Sequence, residues 1–142
     1  MTLVDTNLLL YAHDNESPFH AAARDWLERT VAQVPVAFAW VTLLAFLRLS
    51  TSSRPLRQPY TSAEASSIVE ELLQHPNVYL LQPSDRHWGI LQRLISQGQA
   101  LGNLVMDAHL AALAIEHGAL LCTTDRDFAR FPGLRWENPL EA

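Results

Sequence analysis

Apolar residues along the chain alternate between short unbroken runs and longer stretches spaced every three or four positions. The opening "TLVDTNLLLY" is apolar except for one aspartate and the Thr-Asn pair behind it, and residues 2 to 4 predict a short buried strand followed by a polar break. "SPFHAAARDWLERTVAQ" predicts a helix with Ser17 as N-cap and Pro18 at its first position, with Phe19, Ala23, Trp26, Leu27 and Val31 at helical spacing. "VPVAFA" predicts a second strand. "WVTLLAFLRLST" predicts a helix so apolar that it is buried on most sides or covers a partner. "SSRPLRQPY", with two prolines and two arginines, reads as an exposed loop. Thr61 and Glu64 then have capping-box spacing and open a helix to about Gln74.

The second half repeats the alternation. "NVYLLQP" predicts a strand; "SDRHWGILQRLISQG" and "NLVMDAHLAALAIEHG" predict helices ending at Gly98 and Gly118. "ALLCTT" predicts a fourth strand, "DRDFARF" a single turn or short helix, and "LRW" can add an edge strand. Strands separated by helices in this order imply an α/β sandwich, a parallel sheet of four to five strands with helices on both faces. One domain over residues 1–142 is expected, since 49% hydrophobic residues suffice for one sizeable core.

Composition then removes whole chemistries. All ten basic residues are arginine. Without lysine there is no phosphate-loop NTPase, pyridoxal enzyme or Schiff-base aldolase, and no usual receiver or dehalogenase site. A net charge of −5 argues against a nonspecific polyanion binder, so any nucleic acid is held by local arginines and bound cations. Cys122 is the only cysteine and reads as a small core residue in a reducing compartment. No apolar run approaches the ~20 residues of a membrane span, and the N-terminus lacks a signal-peptide pattern, so a cytoplasmic protein off the membrane is expected.

Three aspartates fall where this topology converges. Asp5 follows the first strand and Asp125 the fourth, which places both at the carboxyl edge of the sheet; Asp107 opens a helix that runs antiparallel to the strands and so starts at the same edge. Asp127 can add a fourth oxygen donor or support the turn. Singly, each acid could merely cap a helix. Together they repel at a low-dielectric edge unless a cation compensates, and an all-oxygen set suits Mg²⁺, or Mn²⁺. Such a site fits phosphodiester hydrolysis. Arg126, Arg130, Arg54 and Arg57 are the candidate phosphate contacts. The six histidines show no metal-ligand spacing, and His109 is turned away from the face of Asp107.

"VDTN" near the start, "NLVMDAHLAALAIEHGA" late and "TTDRDFARFPGLRW" at the end resemble a PIN domain, specifically the VapC toxins of toxin–antitoxin pairs, over nearly the whole chain. The resemblance implies a Mg²⁺-dependent endoribonuclease that cuts structured RNA such as tRNA or rRNA, a homodimer, and inhibition by a VapB-type antitoxin. It implies that Asp5, Asp107 and Asp125 are the catalytic metal ligands, that Asp127 is the extra acid of the last motif, and that Thr6, Asn7 and Thr124 support or line the site. Antitoxin tails in the family lie in apolar grooves, and Trp26, Trp40 and Trp88 lie on helices that could form one. One departure stands out. The family usually places a glutamate on the helix after the second strand, and here Ala45 occupies that place, with no acid anywhere from Arg29 to Ala63. A PIN-like RNA- or ribosome-binding module with weak or no catalysis is therefore the alternative.

Overall fold

The structure, a computed structural model, describes residues 1–141. Five strands, β1 (Thr2–Val4), β2 (Val36–Ala39), β3 (Val78–Leu81), β4 (Leu120–Cys122) and β5 (Trp136–Glu137), form one sheet in the order β3-β2-β1-β4-β5. Every pairing is parallel. Six helices surround it: α1 (Thr6–Ala12), α2 (His20–Gln33), α3 (Trp40–Ser50), α4 (Ser62–Gln74), α5 (His87–Gln97) and α6 (Leu104–Glu116). The expected parallel α/β sandwich is therefore present, with the "LRW" edge strand realised one residue later.

Strand side chains sort by their period of two. Leu3, Ala37, Ala39 and Leu121 join the core beneath α5 and α6, while Val4, Val36, Phe38 and Cys122 join the core against α1 to α4. Because both faces are covered, the central strands are apolar without alternation, which is the pattern read from the sequence. Cys122 is buried as expected, and burial pushes its thiol up to about 12, so it is inert at neutral pH.

Helix ends explain three local differences. The polar break after β1 is itself the start of α1, capped by Asp5 through the Thr6 amide at 2.7 Å. Helix α2 begins at His20 rather than Pro18: the Ser17 hydroxyl does accept from the Phe19 amide at 3.1 Å, as a cap would, but the turn it opens closes by an i, i+3 bond from the His20 amide to the Ser17 carbonyl at 3.1 Å, and i, i+4 bonding starts with the Ala23 amide on the Phe19 carbonyl. The capping box of Thr61 and Glu64 forms in full.

The third difference concerns how α5 and α6 stop. Both end in a pair of reversed amide bonds: Gln99 to Ser96 with Ala100 to Ile95, and Gly118 to Ile115 with Ala119 to Ala114. In α6 the left-handed position is Gly118, at φ 65°, but in α5 it is Gln99, at φ 51°. Gly98 sits one residue earlier, at φ −84°, and its need for glycine is close approach: a Cβ there would lie 2.8 Å from the Leu94 carbonyl oxygen and from the Phe131 ring.

Helices α5 and α6 are also clamped by polar groups. The Glu116 carboxylate, with no side-chain exposure, accepts from the Ser84 amide at 2.6 Å and contacts His87 Nδ1 at 2.5 Å, and His87 Nε2 lies 2.9 Å from His109 Nδ1. Burial works against the Glu116 charge, but these bonds hold its carboxyl below the usual range. His109 indeed points away from the acids and is used in this packing.

Of the three helix tryptophans, Trp26 is buried, whereas Trp40 and Trp88 are 45% and 65% exposed. Leu44, one turn beyond Trp40, is 58% exposed, so α3 does carry apolar surface that its own sheet leaves uncovered. Among the described residues no helix is long and apolar enough to cross a membrane.

Two substitutions separate the roles at the end of α5. Gly98→Ala is expected to destabilise by about 1–3 kcal/mol through overpacking, and Gln99→Gly to stabilise by up to about 1 kcal/mol by relieving the left-handed backbone. Urea unfolding of both variants checks the pair, and the opposite signs would not arise if Gly98 were the left-handed residue.

Candidate active site

The strand order reverses direction of growth at β1: β2 and β3 extend to one side, β4 and β5 to the other. That switch point opens a crevice at the carboxyl ends of β1 and β4. Val4 pairs with Cys122, and the Asp5 amide then donates to the Cys122 carbonyl at 3.0 Å, so Asp5 stands beside Thr123. The Thr123 hydroxyl, wholly buried, donates to Asp5 Oδ2 at 2.7 Å and accepts from the Asp125 amide at 3.0 Å. One hydroxyl thus ties the two acids of neighbouring strands together.

Asp125 caps the 3-10 turn Arg126–Arg130, its Oδ1 accepting from the Asp127 amide at 2.8 Å. Asp107 arrives from the first turn of α6. Asp107, Asp125 and Asp127 each place an oxygen within 4.8 Å of the others. Asp5, Asp107 and Asp125 share a cavity of about 430 Å³, whose lining also includes Thr6, Asn7, Asn103 and part of α3. Asp107 and Asp125 thus belong to both groups, joined by half-buried Asp5 on the cavity wall and by exposed Asp127 within the 4.8 Å cluster. Thr124 is half-buried and does not line the cavity.

The charges pay a visible electrostatic toll. Burial, then the charge of Asp125, raises the Asp5 carboxyl, although its bonds from Thr123 and the Thr6 amide pull the other way. Asp107 is pushed up to about 6, by burial first and then by Asp125, Asp5 and Asp127, with Arg130 opposing weakly. Four convergent carboxylates, all hard oxygen donors, two of them held above their ordinary range, form a donor set that fits a divalent cation.

Thr123 escaped the sequence reading, which favoured its neighbour Thr124. The β1–β4 register was the missing signal: only once Val4 is set level with Cys122 does Thr123 fall opposite Asp5. Thr42, Arg48 and Asn103 on the cavity wall were missed as well, since the α3 and α6 positions expected at the site were those of Ala45 and Asp107, and only packing shows which neighbours share that wall.

Residues 2–134 match the PIN domain family. The chain belongs to that family. It is 42% identical over 140 residues to Ribonuclease VapC37 of Mycobacterium tuberculosis, covering 98% of this chain and 97% of that protein. Among solved structures, VapBC2 from Rickettsia felis bound to a promoter DNA fragment superposes with a TM-score of 0.70 at 21% identity, covering 96% of this chain and 97% of that one. VapC20 of Mycobacterium tuberculosis, a sarcin-ricin loop cleaving toxin, superposes with a TM-score of 0.66 at 19% identity, over 95% and 99% of the two chains. These PIN domains share the layered parallel sheet, and the acids of this PIN domain sit at its switch point.

A raised carboxyl binds an extra proton in the folded state, so its contribution to stability falls as pH rises from the ordinary 3.8 to about 6 and stays unfavourable above. Metal-free Asp107→Asn is accordingly expected to be more stable than the wild type by about 1 kcal/mol above pH 7, a fraction of the full shift because the group is part-exposed. The gap should close towards pH 4. Saturating Mn²⁺ should reverse the order, stabilising the wild type by about 3 kcal/mol at a hundredfold excess over Kd and the variant by less. Calorimetric melting with and without the ion checks both.

Proposed function

We propose that this PIN domain is a Mg²⁺-dependent endoribonuclease, the toxic member of a toxin–antitoxin pair, acting on structured RNA such as tRNA or rRNA. The observation that carries the reading is that Asp5, Asp107 and Asp125 line one opening of the sheet, with Asp127 within 4.8 Å of the last two, in a chain 42% identical to a VapC ribonuclease across its length. Asp5, Asp107 and Asp125 would hold the cation, with Asp127 as a further donor, and Mn²⁺ would serve in its place. When bound, such an ion supplies activation of a water and neutralisation of the phosphoryl oxygens.

The chain's own residues do the rest. Thr123 and the Thr6 amide fix the rotamer of Asp5, using one acceptor site on each oxygen and leaving further acceptor capacity on both. Asp125 is fixed by its bond from the Asp127 amide. Asn7 lines the opening with an amide able to donate to a phosphate or ribose oxygen. The surplus negative charge that makes the empty cluster costly also makes it selective for a cation.

The likeness to VapBC complexes supports a VapB-type antitoxin as partner, and the uncovered apolar stripe of Trp40 and Leu44 on α3 supports a homodimer or an antitoxin groove. Co-purification with the product of the adjacent reading frame tests the partner.

A second reading has its own observation. Ala45 lines the same cavity, so the place of the family's glutamate is filled by a methyl group. On that reading the protein binds RNA or the ribosome and cleaves weakly or not at all.

Purified protein is expected to cut bulk tRNA or rRNA with Mg²⁺ or Mn²⁺, to stop with EDTA, and to lose about 100-fold or more in rate on Asp5→Ala. Cleavage by that variant in the presence of EDTA would sink the proposal. Ala45→Glu distinguishes the readings: a large gain in cleavage means that the vacancy limits catalysis, and growth inhibition that survives Asp107→Asn means that binding alone is toxic.

A further inference from the structure

A single positive charge lines the acidic cavity. Facing Asp5, Asp107 and Asp125, helix α3 contributes Val41, Thr42, Ala45, Arg48 and Leu49, positions that share one helical face. Ala45 brings no carboxylate to this wall. Thr42 is 1% exposed and its hydroxyl has no hydrogen-bond partner, which marks a cavity whose polar complement the chain itself does not supply. Arg48 stands in the last turn of α3, exposed, and among the described residues no carboxylate lies within ion-pairing distance of its guanidinium.

The arginines suggested by the sequence are placed differently. Arg126 pairs with Glu141 at 3.1 Å, Arg130 Nη1 donates to the Gly98 carbonyl at 2.9 Å, and Arg57 lies 3.9 Å from Glu16 beside a separate hollow. Arg54 lines none of these openings.

We propose that Arg48 is the substrate-phosphate contact of this site, its guanidinium holding an RNA backbone phosphate from the α3 wall while the carboxylates face it across the cavity. The assignment rests on the nucleic-acid substrate of the ribonuclease reading. An acid at position 45, one turn before Arg48, would occupy the guanidinium as an i, i+3 pair. With alanine there the planar fork stays open to an incoming anion, and its geometry matches two phosphate oxygens. A chain of net charge −5 has no general basic field to draw RNA, so one located cation at the mouth carries more of the encounter than it would on a basic nuclease.

The test compares Arg48→Ala with Arg48→Lys and with Arg93→Ala, an exposed α5 arginine outside the cavity that gives the same change in net charge. Anisotropy of labelled tRNA in Ca²⁺ reads binding separately from turnover, Mg²⁺-driven cleavage of bulk tRNA reads KM and kcat, and Mn²⁺ calorimetry reads the metal site. Arg48→Ala should weaken RNA binding and raise KM about 10-fold and lower the salt slope by about 1. Mn²⁺ affinity should hold, Arg48→Lys should recover part of the loss, and Arg93→Ala should match the wild type. Wild-type protein that cleaves while Arg48→Ala behaves like Arg93→Ala overturns the Arg48 assignment alone, as does an equal loss of Mn²⁺ affinity. Wild-type protein that binds RNA through Arg48 without cleaving it overturns the ribonuclease reading and leaves this one standing; no RNA binding at all overturns both.

Discussion

The parallel pairing of β1 with β4 holds the repelling carboxylates of Asp5 and Asp125 at one end of the sheet. Val4 level with Cys122 brings the Asp5 amide to the Cys122 carbonyl and sets Asp5 beside Thr123. A slip of one residue would turn every side chain of β1 to the opposite face of the sheet. Leu3, Val4, Leu121 and Cys122 are all at most 1% exposed, so either core would resist the slip. The apolar layers thus supply the rigidity that the acidic cluster cannot supply for itself. Without them, repulsion would part Asp5, Asp107 and Asp125.

The same side chains serve structure and chemistry at once. Asp5 caps α1 and Asp125 caps the 3-10 turn, so each carboxylate is oriented by amides before any ligand arrives. A cap satisfies helix amides but uses only one lone pair per bond, leaving acceptor capacity on the carboxylate. The capping interpretation and the metal interpretation of these aspartates are therefore not rivals. Burial decides the difference between them: the exposed capping carboxylate of Glu64 is lowered by its bonds to Thr61, whereas burial raises the carboxyl of Asp5 despite its capping bond.

Opposite the acids, α3 has an unusual balance. It brings a methyl group at Ala45, an orphan hydroxyl at Thr42 and a free guanidinium at Arg48 to a cavity that otherwise carries negative charge. Removing an acid from a crowded site lowers the positive charge needed to neutralise it. The clamp of Glu116, His87 and His109 lies on the other side of α6 and keeps that helix, and so Asp107, against α5.

Much of this was written in the linear order of residues. Buried strands without alternation, the capping box at Thr61 and the spacing of Asp5, Asp107 and Asp125 announced a parallel α/β sheet with acids at one edge, because those features depend on local periodicity and on a topology with few alternatives. The glycine at the end of α5 was legible as a helix stop but not as a close approach, since the Phe131 ring that requires it comes from far along the chain. Register chose Thr123 over Thr124, and packing brought Arg48 to the cavity wall while engaging Arg126 with Glu141 and Arg130 with the Gly98 carbonyl. The chemistry of the acids follows from residue type and order. Which neutral and positive groups complete their site follows only from how α3 and β4 lie against β1, because distances between elements far apart in sequence are set by the packed core.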